Sequence, residues 1–151
     1  MTYAARRPSG SYSVRSYADI GLETQVMGAS PERLITLLFT GARTAIGQAR
    51  IHLQEGRVAE RGAAISKAIR IVDEGLKTGL NMEAGGEIAA NLASLYDYIV
   101  RTLLTANLRA DLAQLDLADR LLADLAEAWQ TSIDRPAGVH GSEVPSTPTS
   151  A

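Results

Sequence analysis

The stretch "SPERLITLLFTGARTAIGQARIHLQEG", residues 30 to 56, constrains the fold more than any other. Leu34, Leu38, Ala42, Ala45, Ala49 and Leu53 recur every three or four positions, which places them on one face of a helix and on no face of a strand. The start is written into the residue types. Ser30 can accept a hydrogen bond from the free amides of the first turn, Pro31 has no amide to leave unpaired, and Glu32 suits the positive end of the helix dipole. Gly56 supplies a residue that tolerates the left-handed conformation at a helix end.

The same pattern returns three times. From about Val58 to Leu80, Ile65, Ala68, Ile69, Val72, Leu76 and Leu80 form an apolar side, with Gly75 and Gly79 placed to let a neighbouring helix come close or, for Gly79, to cap the end. After the glycine pair Gly85 and Gly86, a third stripe runs through Ile88, Leu92, Leu95, Ile99, Leu103 and Ala106, widened by Ala89, Tyr96, Val100 and Leu104. The fourth begins at "DLAQ", where Asp111 can cap and Gln114 can reach back as in a capping box, and continues through Leu115, Ala118, Leu122, Leu125 and Trp129. Four amphipathic helices on short loops predict an all-α, antiparallel up-and-down four-helix bundle with a short N-terminal lead-in. Residues 1–16 and 135–151 are rich in Ser, Gly and Pro without periodicity. They are expected to be disordered tails on a bundle spanning 17–134.

Composition excludes several functions. At 151 residues one core is expected, and a net charge of -2 argues against a nucleic-acid partner, which needs a basic face. The chain has no cysteine, so disulfides, thiolate metal sites and a cysteine nucleophile are out of reach. No apolar run approaches the roughly 20 residues that cross a bilayer, and none follows the N-terminal arginines as in a signal peptide. The expectation is a soluble protein that stays in the cytoplasm, without membrane insertion.

No catalytic constellation emerges. Gly85 and Gly86 are followed by Glu87, whose charge would repel a phosphate, so "NMEAGG" is expected to be a tight connection between helices. The only histidines, His52 and His140, lack the Glu-x-x-His spacing of a bundle metal site; His52 reads as an ordinary residue near a helix end. The serines have no histidine partner, and in "LYDYI" adjacent residues diverge around the helix, one tyrosine turning to the core and the other partly to solvent. We therefore expect no enzyme, no catalytic or metal residue and no cofactor.

The segments "VMGASPERLITLLFTGA" (26–42), "AISKAIRIVDEGLKTGLNMEAGGEIAANLASLYDYIVRTLLTANLRAD" (64–111) and "DLAEAW" (124–129) closely resemble the flagellar export chaperone FliS family, most specifically in "ASPE", "NMEAGGEIAANL", "LYDY" and "ANLR". The resemblance implies a cytoplasmic helical bundle that binds the disordered C-terminal segment of flagellin, prevents premature polymerisation and assists delivery to the flagellar type III export machinery. A co-chaperone or an anti-sigma factor is a further partner it leaves open. The third stripe is wider than one seam needs, so Leu92, Leu95, Tyr96, Ile99 and Leu103 are candidate partner-binding residues, each with core packing as the alternative. The resemblance also suggests that the lead-in carrying Tyr17, Ile20 and Val26 lies over the client groove as a displaceable lid, or packs simply at its edge. A self-associating structural or regulatory bundle is the alternative function.

Overall fold

The computed structural model describes residues 28–135. Helix α1 (Pro31–Gln54) is followed by α2 (Val58–Arg70), which continues as a π-helical segment (Ile71–Lys77), then by α3 (Met82–Arg109) and α4 (Leu112–Asp134). No strand occurs among the described residues. Each helix packs on the next, and α4 returns to α1, closing an all-α four-helix bundle. Tyr17, Ile20, Val26 and most of both expected tails lie outside the described residues.

The helix ends follow the local chemistry. Ser30 Oγ accepts from Arg33 N at 3.1 Å with Pro31 as the first helical residue. At the other end Gly56 adopts φ +74°, its amide donating to Leu53 O (3.2 Å) and that of Arg57 to His52 O (2.9 Å), a Schellman closure. His52 Nδ1 accepts from Arg57 Nε at 3.1 Å. Asp111 caps α4 by accepting from Ala113 N and Gln114 N. The reciprocal half of the expected capping box is not formed, because the Asp111 amide already donates to Ala106 O at 3.0 Å, closing α3.

The glycine-rich region meets expectation in part: Gly86 makes a corner between two helical stretches, but the link after α2 comes earlier in the chain. The link between α2 and α3 falls at Thr78–Asn81, and α3 starts at Met82, with Asn81 Oδ1 accepting from Ala84 N at 3.0 Å. Gly85 and Gly86 therefore lie inside α3, one turn from its start. Gly86, at φ 53° and ψ -126°, kinks the helix there, and a Cβ on Gly85 would lie 2.7 Å from that of Ala89. Gly79 is not a left-handed cap; its amide donates to Gly75 O at 3.2 Å. Of the two spaced glycines only Gly75 meets a neighbouring helix: a Cβ there would come within 2.9 Å of Leu38 Cδ2.

The core contains Leu38, Ile65, Ile71, Val72, Ile99, Leu103, Leu115 and Leu122, all fully buried, with Ala42, Ala45 and Ala49 letting α1 approach its neighbours. Thr102, the one buried polar residue among those described, donates its hydroxyl to Tyr98 O at 2.8 Å. Two members of the expected third stripe fall outside the core. Ile88, just past the kink, is 73% exposed, and Leu104 on the far edge of the stripe is 54% exposed.

Candidate functional site

Helices α1 and α4 run side by side in opposite directions, and three levels of contact mark their seam. Arg50 pairs with Asp116, Arg43 Nε with Asp119 Oδ1 at 2.9 Å, and, further along, Trp129 Nε1 donates to Thr36 Oγ1 at 3.2 Å. Around the two ion pairs lies a polar trough of about 350 Å³ lined by Thr40, Arg43, Thr44, Arg50, Asp116 and Asp119. Its charges answer one another, and the Asp119 carboxylate holds the Arg43 guanidinium above its ordinary range by hydrogen bonding.

Beyond the Trp129 level the seam opens into an apolar groove of about 580 Å³. All four helices contribute. Leu34, Ile35 and Phe39 come from the first turns of α1, Gly75 and Leu76 from the π-helical segment, Leu80 from the link, Leu92 and Tyr96 from α3, and Leu125 and Trp129 from α4. The wall formed after α2 is low because Gly75 and Gly79 carry no side chain, and a Cβ at either would crowd its neighbours. Beside it, Lys77 Nζ donates to Asp97 Oδ1 at 2.7 Å and ties the end of the π-helical segment to α3. Burial pushes the Tyr96 phenol up to about 12, so it is neutral throughout the physiological range.

The five candidates on α3 divide by depth. Leu92 and Tyr96 line the groove; Leu95 is half-buried against the core without reaching it; Ile99 and Leu103 have no exposed surface. The helical period alone could not separate them, because groove and core lie on one continuous stripe. The tyrosines of "LYDYI" part as expected, Tyr96 buried and Tyr98 43% exposed, while Asp97 is taken up by Lys77. Sequence reasoning missed Phe39, Leu76, Leu125 and Trp129 as groove residues. The signals available were the lone tryptophan at the end of its helix and the unbroken "LLF" run in α1, more apolar than a single seam requires.

Among the described residues no group of three or more His, Asp or Glu side chains is arranged to hold a metal ion, and no helix is long and apolar enough to cross a membrane. The family model described as "Flagellar protein FliS" matches residues 13–136. The flagellar secretion chaperone FliS of Salmonella typhimurium is 50% identical over 117 residues, covering 78% of this chain and 87% of that protein. Its Escherichia coli counterpart is 39% identical over 122 residues (81% and 90%), and the flagellar secretion chaperone FliSB of Pseudomonas aeruginosa 38% over 117 (78% and 92%). This all-α bundle, matched by the family model over all of its described residues, belongs to the FliS family of flagellar secretion chaperones.

Proposed function

We propose that this chain is a cytoplasmic export chaperone that holds the disordered C-terminal segment of flagellin, keeps it from polymerising and hands it to the flagellar type III export machinery. The observation that carries this reading is the apolar groove built by all four helices, a surface the bundle leaves unfilled after satisfying its own core. A disordered segment folds as an amphipathic helix when such a surface is offered, inserting residues at i, i+3, i+4 and i+7. Burial yields about 25 cal/mol per Å² of apolar area, and ordering the segment costs about 2–5 kcal/mol or more. The groove admits only a few side chains of such a helix, so an extended client continues over the outer faces, where Leu104 and Leu108 of α3 are exposed.

Pro31 stands on the groove rim, so the residues preceding α1 enter the fold beside it. This supports the reading of Tyr17, Ile20 and Val26 as a tethered lid whose local concentration, in the mM range, competes with the client. Deleting residues 1–25 tightens binding of the flagellin segment if the lid is there. Unchanged or weaker binding removes it from the scheme.

Calorimetric titration with the C-terminal segment of the cognate flagellin tests the main reading. Saturable binding with a negative heat-capacity change is the expected outcome, and no binding at protein concentrations where the bundle is folded contradicts it. The exposed pair Leu104 and Leu108 would also suit self-association. That alternative requires concentration-dependent assembly of the protein alone in sedimentation.

A further inference from the structure

Tyr96 differs from every other residue that lines the groove. Like Phe39 and Leu76 it is almost wholly buried, at 4% exposed, but it alone of these carries a hydroxyl, and that hydroxyl has no hydrogen-bonding partner among the described residues. Of the other polar groups lining the groove, Glu32 stands exposed on its rim and two are engaged elsewhere. Trp129 Nε1 donates to Thr36, and Asn81 Oδ1 caps α3. A hydroxyl on the wall of an apolar groove, with no partner in its own bundle, depends on the water the groove holds. Once a client excludes the remaining water from the groove, only the client can satisfy this group.

We propose that Tyr96 is a specificity-determining residue of the groove, its hydroxyl bonding a neutral side-chain carboxamide or hydroxyl that the bound flagellin segment carries within its apolar face. The proposal rests on the reading of the groove as the flagellin site. A helical client has no backbone carbonyl free in mid-helix, so the partner atom belongs to a side chain. A carboxylate or ammonium group would be desolvated among leucines, so the partner is uncharged. The phenol is neutral at physiological pH with or without its upward shift, so it can donate or accept. The consequence is register: an apolar stripe can slide by one helical turn at little cost, whereas one polar residue within it fits at a single position, as a buried Asn sets the register of a coiled coil.

The test compares wild-type protein with Tyr96→Phe by calorimetric titration of the cognate flagellin C-terminal segment, with a parallel scan in which each Asn, Gln, Ser or Thr on the segment's apolar face is replaced by Leu. The expected result is a loss of about 3- to 10-fold in affinity for Tyr96→Phe, without loss of thermal stability. One client replacement should weaken binding to wild type but not to Tyr96→Phe, the signature of a coupled pair. Equal or tighter binding by Tyr96→Phe, or no coupled position, overturns the proposal while leaving the groove as the flagellin site. Absence of any wild-type binding overturns both. If Tyr96→Phe does not fold, the ring-carbon Cζ resonance of Tyr96 in the wild-type complex decides. A shift on binding that one client replacement abolishes supports the bond, and no shift refutes it.

Discussion

The two ends of the α1/α4 seam are built from the same pair of helices and do opposite things with their surface. Toward the start of α4, Arg43 and Arg50 face Asp119 and Asp116, and the trough between the helices is occupied by charges that satisfy each other. Toward the end of α4, the facing residues become Leu34, Ile35, Leu125 and Trp129, and the space between the helices is left apolar and open. A trough of paired ions offers an incoming chain little, because any new contact must first break an existing one. An open apolar groove offers burial that the bundle alone cannot complete. Under the proposed function, the open end is where a client would bind and the charged end is a fastening.

The largest effect should come from confusing groove with core. Leu103→Ala removes a fully buried side chain and is expected to lower stability by about 2–5 kcal/mol in denaturant unfolding. Leu92→Asp, on the same stripe but at the groove, should leave the fold intact and weaken flagellin binding about tenfold or more. If Leu92→Asp unfolds the protein before it weakens binding, the separation of the two surfaces is wrong.

Alkaline titration probes the groove floor. The Tyr96 phenol is pushed from 10.0 to about 12, so the folded state disfavours the tyrosinate. The stabilisation is present in full below pH 10 and is lost as pH rises toward 12. Tyr96→Phe should remove that part of the alkaline destabilisation. Gly86→Ala forces a side chain onto φ 53° and ψ -126°, a conformation expected to cost about 1–3 kcal/mol and to lower the melting temperature. The smallest effect belongs to the charged end. Arg43→Ala breaks an ion pair that is nearly half exposed, so a stability change within about 1 kcal/mol and unaltered flagellin affinity are expected. A marked loss of affinity there would erase the contrast between the two ends.

Much of the fold was legible because its signals are local. Ser30 with Pro31, Gly56, Asp111 and the apolar stripes each act within a few residues, and the structure uses them where they stand. The π-helical segment Ile71–Lys77 was not legible, since its widened turn leaves Val72 and Leu76 at an ordinary helical spacing. The corner at the glycine pair was legible, since Gly86 takes φ 53° and ψ -126° between two helical stretches, but the earlier link at Thr78–Asn81 and the turn of helix that Asn81 caps were not. Leu92 and Tyr96 of the groove could be named from α3. Phe39, Leu76, Leu125 and Trp129 could not, because only the packing of four helices brings them to one place.

The lone tryptophan provides the most direct test of where the client sits. Trp129 lies in the groove wall, so its fluorescence reports occupancy without interference from another indole of the chaperone. Titration with a tryptophan-free C-terminal flagellin segment should shift its emission to shorter wavelength, saturating in step with calorimetric binding, and Leu92→Asp should weaken both together. Calorimetric binding with the Trp129 emission unmoved would place the client elsewhere on the bundle and contradict the account.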